Sequence, residues 1–299
     1  MSILIDESTR AIVQGLTGAQ ARFDTEWCLR YGTKIVAGVT PGRGGDSVLG
    51  VPVFDTVRRA VLGRDVNASV IYVPGPMVKP AALEAIDAGI ELILVTAEYV
   101  PLHDVIQITA MARQAGVRLV GCNTNGLISP GKSKLGGVGG LHPEELFMPG
   151  RIGVCSRSGG MTVEIALALK AAGYGISTSV SMGGDVVTGL RMVDYLHLFE
   201  QDEDTDAIVL FGEPGTESEQ EVADLLLSGA ISKPVIAIIA GEFQERYPQG
   251  MSFGHAAAMI TDVGKSATAK RRQLREAGAH VALSLEEIPD LLDAAIRLN

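Results

Sequence analysis

Residues 11–18 read Ala-Ile-Val-Gln-Gly-Leu-Thr-Gly, a run of strand composition that ends on a glycine turn, and Arg22–Arg30 beyond it carries helical spacing. A strand that closes on glycine and gives way to a helix is the opening unit of a parallel α/β sheet. The unit recurs. Lys34–Val39, Ala68–Val73, Glu91–Thr96 and Val117–Gly121 are Val- and Ile-rich runs that close on Gly, Pro or Thr. Thr56–Leu62, Ala81–Ala88 and Leu102–Gln114 lie between them with helical spacing. This alternation predicts an α/β fold whose N-terminal part, residues 1–130, is Rossmann-like. The glycine-rich stretch from Ser129 to Gly140 interrupts the rhythm, so residues 131–150 are expected to link two domains. A second alternation fills residues 151–299. Its expected strands are Ile152–Ser156, Ile176–Val180, Ala207–Phe211 and Val235–Ile239. Its expected helices are Met161–Ala172, Thr188–Phe199, Glu217–Leu227, Ala267–Ala277 and Leu285–Leu298. That pattern predicts a flavodoxin-like, doubly wound sheet.

The bulk composition agrees. A chain of 299 residues, 46% hydrophobic and 20% charged, can fill two cores. Its net charge of −10 argues against a nucleic-acid partner, because a phosphate backbone needs a basic face. Three cysteines are too few and too scattered for a disulfide framework or a zinc site, so no metal is expected on this chain. The opening MSILIDESTR lacks the apolar core of a signal peptide, and no apolar run approaches the ~20 residues that span a bilayer. A cytoplasmic protein with no membrane partner is expected.

Glycines at Gly15 and Gly18 let the backbone approach an anion at the helix N-terminus, but the spacing is not G-x-G-x-x-G. No acidic residue closes the second strand. Arg43 stands there instead, in Val39-Thr-Pro-Gly-Arg-Gly-Gly45, which favours a phosphorylated adenosine such as that of CoA over NAD. Val73-Pro-Gly-Pro76, Thr96-Ala-Glu98 and Gly121-Cys-Asn-Thr-Asn-Gly126 end strands on the same carboxyl edge. Cys122 lacks any neighbouring base or cation in sequence and reads as a packing residue. In the second half, Ser156-Arg-Ser-Gly-Gly160 opens a helix and offers N–H groups to a phosphate. It does not match the G-x-S-x-G nucleophile elbow. Met182-Gly-Gly-Asp185 and Phe211-Gly-Glu213 end strands with carboxylates. Of five histidines, His103, His142, His197 and His280 have no companion motif, whereas His255 sits among glycine and alanines after a long polar loop.

Taken together and in this order, Ser156-Arg-Ser-Gly159, Met182-Gly-Gly-Asp185, Gly212-Glu213 and Gly254-His-Ala256 resemble the alpha subunits of succinyl-CoA synthetase, the nucleoside-diphosphate-forming acid–CoA ligases. Gln14-Gly-Leu-Thr-Gly18 and Gly38-Val-Thr-Pro-Gly42 are similar too, and the resemblance covers nearly the whole chain. It implies a CoA-binding Rossmann-like domain, a ligase domain carrying a phosphohistidine, and a place in the tricarboxylic acid cycle. His255 would be the phosphorylated residue and Glu213 the carboxylate orienting its ring. Ser156, Ser158, Gly159 and Gly160 would hold the phosphate. Thr17, Gly18, Ala19, Gln20, Arg43, Thr96, Ala97 and Glu98 would line the CoA site. ATP or GTP with Mg2+ would be bound mainly by an ATP-grasp beta subunit, in an alpha–beta or alpha2–beta2 assembly. The chain has no G-x-x-x-x-G-K-[ST], in keeping with a nucleotide bound elsewhere.

The departures bear on the acid. Succinate enzymes resembling this chain carry Ser-Arg-Ser-Gly-Thr and then a tyrosine, where this chain has Gly160 and Val163. Ser-Gly-Gly-Met, Phe-Gly-His and the long loop from Gly241 to His255 are closer to ATP-citrate lyase and citryl-CoA synthetase. Ala257 and Thr124-Asn125 also differ from the usual pattern. The expected acid is succinate or a related di- or tricarboxylate, met near Gly160 and Val163. The other class consistent with the scaffold is a CoA-binding regulatory or accessory protein, which would not need both His255 and Glu213.

Overall fold

The computed structural model describes residues 2–298. The first part alternates β1 (Arg10–Gln14), α1 (Ala19–Arg30), β2 (Lys34–Val39), β3 (Ser47–Val48), β4 (Val51–Phe54), α2 (Val57–Val61), β5 (Ala68–Ile71), α3 (Val78–Asp87), β6 (Leu92–Val95), α4 (Leu102–Gln114) and β7 (Arg118–Gly121). These strands form one sheet in the order β3-β4-β2-β1-β5-β6-β7, parallel except for the short β3. Without β3 this is the 3-2-1-4-5-6 order of a dinucleotide-type fold, with its switch point between β1 and β5. Every residue of β5 and β6 is buried, as helices on both faces require. Ser69 is tolerated inside β5 because its hydroxyl accepts from Gln14 Nε2 at 3.0 Å.

The second part continues with β8 (Gly126–Ser129), β9 (Ser133–Gly136), α5 (Pro143–Leu146), β10 (Pro149–Ser156), α6 (Gly159–Ala171), β11 (Ile176–Ser181), α7 (Met192–Gln201), β12 (Ala207–Gly212), α8 (Ser218–Leu227), β13 (Val235–Ile239), α9 (Ala267–Glu276), β14 (His280–Ala282) and α10 (Glu287–Leu298). Its sheet runs β14-β13-β12-β10-β11-β8-β9. The five parallel strands β10 to β14 have the flavodoxin order 2-1-3-4-5.

The stretch expected as a link differs from that reading. Gly126–Gly136 is a hairpin added antiparallel to β11, so it belongs to the second sheet. It also fastens the first domain, since the Thr33 hydroxyl donates to Lys134 O at 2.9 Å and accepts from Lys134 N at 3.0 Å. Periodicity missed it because four-residue strands among glycines carry too little apolar pattern. One buried cluster runs across the seam, from Val13, Leu16 and Cys28 through Leu135 to Cys155 and Val180. The carboxyl edges of the two sheets are thereby held facing each other.

Candidate active site

A cavity of about 440 Å3 separates those edges. Gln20 and Asp24 of α1, Tyr72 after β5, and Thr96, Ala97 and Glu98 after β6 line it from the first domain. Asn123–Asn125 after β7, Arg157 and Gly159 at the β10–α6 turn, and His255 close it from the other side. A second cavity of about 460 Å3 adjoins, and Glu98, Asn123 and His255 border both. His255 therefore stands on the wall between two spaces.

His255 lies in the long segment between β13 and α9. Three aromatic rings brace that segment: Phe253 meets Phe243 and Tyr247 at centroid distances of 5.2 and 5.0 Å. Glu213 directly follows the buried strand β12. The His255 Nδ1 is 2.8 Å from Glu213 Oε2. A carboxylate can only accept, so Nδ1 carries the proton and Nε2 keeps a free lone pair. That hydrogen bond raises the His255 pKa above its ordinary value; desolvation opposes it, Glu213 and Asp185 add to it, and Arg157 subtracts. A neutral imidazole with a fixed tautomer and a free Nε2 is a nucleophile.

The ring needs room, and Gly184 supplies it. A Cβ at position 184 would lie 2.6 Å from His255 Cγ, too close for any side chain. Gly184→Ala is therefore expected to displace the ring from Glu213 and to return its raised pKa toward the ordinary 6.5. An NMR titration of the His255 ring checks it; an unchanged pKa would contradict the packing.

The β10–α6 turn is built as expected, with one difference. The Ser156 hydroxyl donates to Ser158 O at 2.7 Å and accepts from Ser158 N at 3.0 Å. Ser158 caps α6 through Met161 N at 3.4 Å. The Ser156 hydroxyl is thus spent on the turn, Ser158 Oγ accepts at the cap and keeps its own O–H, and the N–H groups of Gly159 and Gly160 lie at the N-terminus of a 13-residue helix. Gly160 is exposed. Val163 packs partly buried against the second domain's core and is not among the residues lining either cavity, unlike its expected substrate role.

On the first domain, Gly18 caps α1 in an extended conformation, so the helix N-terminus at Ala19 and Gln20 is open. The Thr17 hydroxyl donates to Thr40 Oγ1 at 3.3 Å and ties this turn to the end of β2. Gln20, Thr96, Ala97 and Glu98 come together in the cavity; Thr17, Gly18, Ala19 and Arg43 lie outside its lining. Arg43 is half exposed and paired with Asp46 through Nε at 2.6 Å.

Several residues of the site were not singled out by sequence. Arg157 is 2% exposed, donates through Nη2 to Asp185 O at 2.8 Å, and leaves Nε without a partner. Its signal was present, inside the Ser156–Gly160 motif. Asp24 and Tyr72 gave none. Asp24 is buried and accepts from Gln20 Nε2 at 3.1 Å. Cys122 is buried, and burial raises its pKa to about 12, so it is an inert packing residue. Among the described residues no group of three or more His, Cys, Asp or Glu is placed to hold a metal ion. No helix among them is long and apolar enough to cross a membrane.

Comparison with known proteins places both halves. Residues 6–99 match the CoA binding domain model, and residues 149–295 match the succinyl-CoA ligase like flavodoxin domain. The chain is 45% identical over 292 residues to the succinate–CoA ligase [ADP-forming] subunit alpha 2 of Archaeoglobus fulgidus, covering 98% of this chain and 99% of the relative. It is 41% identical over 286 residues to the malate–CoA ligase subunit alpha of Methylorubrum extorquens, covering 94% of each. Among solved structures, ATP citrate lyase from Methanothrix soehngenii in complex with citrate and coenzyme A superposes with a TM-score of 0.90 at 26% identity. That match covers 99% of this chain, which spans about half (51%) of the lyase chain.

Proposed function

Because this chain belongs to the alpha-subunit family of the ADP-forming succinate–CoA ligases, we propose that it is the alpha subunit of an acid–CoA ligase that works through a phosphate on His255. The observation that carries this reading is the 2.8 Å pairing of His255 Nδ1 with Glu213 at the wall of the interdomain cavity. A CoA-binding accessory protein has no use for an oriented nucleophile there.

The residues present suit CoA. The open N-terminus of α1 and the cavity edge at Thr96–Glu98 offer N–H groups and polar side chains to a phosphorylated nucleotide, and the cavity leads from them to His255. CoA, when bound, supplies the thiol that takes the acyl group and releases inorganic phosphate. The remaining work falls to the chain's own groups. Nε2 of His255 takes the terminal phosphoryl group of ATP or GTP as the bond to the nucleoside diphosphate breaks. Glu213 holds the proton on Nδ1 and stabilises the charge that the ring acquires. The N–P bond then breaks toward the acid's carboxylate oxygen, and its electron pair returns to Nε2. Gly159 and Gly160 keep their N–H groups on the phosphoryl oxygens through both transfers. The partner is a beta subunit, for which we propose an ATP-grasp domain that brings the nucleotide and Mg2+ in an alpha–beta or alpha2–beta2 assembly. The setting proposed is the cytoplasm, in keeping with three free, buried cysteines.

For the acid, Gly160 is the departure nearest the helix N-terminus. A Cβ there would meet only Ser158 Oγ, at 3.9 Å, so the family's threonine has room and its absence leaves space at the helix N-terminus. Malate, citrate or another substituted acid is the proposed substrate. The test is the chain assembled with its beta subunit, supplied with ATP, CoA and a panel of acids. ADP release dependent on both acid and CoA is expected, with kcat/KM for a substituted acid above that for succinate. A preference for succinate of about tenfold or more, a gap of ~1.4 kcal/mol, would overturn the choice of acid. Absence of CoA-dependent turnover with every acid would overturn the ligase.

A further inference from the structure

Behind Glu213 lies an ion pair that the chemistry above does not use. Glu219, in the first turn of α8, and Lys270, in the first turn of α9, are both fully buried and directly paired. Burying two charges is costly, and an apolar pair of similar volume often serves stability as well or better. Local helix electrostatics do not explain the lysine, because a cation is disfavoured at a helix N-terminus. Their hydrogen bonds supply a reason. Glu219 Oε1 accepts from Glu213 N at 3.1 Å, and Lys270 Nζ donates to Glu213 O at 2.6 Å. One residue's backbone is thus gripped at both its N–H and its carbonyl, and that residue carries the carboxylate on His255. Gly212 makes the grip possible, since a Cβ there would lie 2.3 Å from Glu219 Oε1.

We propose that Glu219 and Lys270 are positioning residues for phosphotransfer, clamping the backbone of Glu213 so that its carboxylate stays on Nδ1 of His255. This rests on the phosphohistidine reading. Hydrophobic groups could fill the volume but could not hold an N–H and a carbonyl together. Burial pushes the Lys270 pKa down while Glu219 opposes it, so removing either charge strands the other and loosens the clamp.

Two variants test it: Glu219→Leu with Lys270→Met, which removes both charges together, and the near-isosteric Glu219→Gln, which decides by the same readings if the double variant does not fold. The first reading is the pKa and tautomer of the His255 ring by NMR on the full chain. Glu213, Arg157 and Asp185, the charged groups that act on this ring, stay unchanged in both variants. The second reading is the rate of phosphoenzyme formation with ATP and the beta subunit. Expected are a fall of the ring pKa toward the ordinary 6.5, a shift away from the Nδ1–H tautomer, and a rate loss of roughly 10- to 100-fold. A folded variant with unchanged ring pKa, tautomer and rate would overturn the clamp. If the wild-type complex forms no phosphoenzyme, the phosphohistidine reading fails, while the ring titration still decides whether Glu219 and Lys270 position Glu213.

Discussion

Replacing His255 by asparagine is expected to abolish the phosphate that the assembled enzyme takes from ATP, and to lower turnover by on the order of 10^4- to 10^6-fold. The label on the wild-type chain should be labile to acid and stable to base, as a phosphoramidate is and a phosphoserine is not. Among the described residues, the neighbouring serine hydroxyls and the cysteine thiol are poor substitutes that would not hide the loss. Ser156 and Ser158 are engaged in shaping their own turn, and burial holds the Cys122 thiol near pKa 12. Asparagine keeps a polar amide of similar reach beside Glu213, so the loss would be chemical rather than a collapse of the loop. Thermal melting of the variant within a few degrees of wild type checks that point. Wild-type label on His255→Asn would place the phosphate on another residue and remove the basis of the mechanism.

Glu213→Gln carries the second large effect. An amide N–H can donate to Nδ1, which would leave the proton on Nε2 and the nucleophilic lone pair pointed the wrong way. Where an orienting carboxylate of a catalytic histidine becomes an amide, the cost is about 10^4 in rate for this reason. A loss of roughly 10^3- to 10^4-fold in phosphoenzyme formation is expected here. The pH dependence separates orientation from mere damage. Glu213 raises the folded-state pKa of His255, and the ring must be neutral to attack. Wild-type formation should therefore rise with pH through a limb above 6.5, and Glu213→Gln should move that limb to lower pH while depressing the plateau. Stability follows the same linkage. A raised folded pKa stabilises the fold fully below the unfolded pKa and loses that contribution as pH rises through the folded one. Glu213→Gln should therefore lower the melting temperature near pH 6 more than near pH 9. An unshifted limb, or a melting difference largest at alkaline pH, would show that Glu213 does not act on the ring.

Part of the site is legible in the order of residues alone. The turns at Gln14–Gly18 and Ser156–Gly160, and the strand ends at Thr96–Glu98 and Gly212–Glu213, could be read because each is a local event: an apolar run, a turn residue, the start of a helix. Motif order then singled out His255 among five histidines. Roles within those motifs were less legible. Ser156 read as a phosphate ligand, yet its hydroxyl both donates and accepts within the turn itself. Val163 read as a substrate contact, yet in α6 it packs partly buried against the core. A motif gives neighbours in the chain, and which way each side chain faces depends on what packs behind it.

The two α/β halves follow from local residue patterns, because strand and helix periods are set by backbone geometry and each element's apolar face is written in its own residues. So do the chemical types gathered at the strand ends. It takes the packed chain to show that Gly126–Gly136 joins the second sheet, that Gly184 must be bare to admit the His255 ring, and that the carboxylate of Glu213, 42 residues earlier, reaches Nδ1. Packing alone brings Glu219 and Lys270, 51 positions apart, onto one backbone. Those are contacts between elements distant in the chain. They arise from how two sheets pack and from which polar groups must find partners once water is excluded, and no local pattern of residues encodes them.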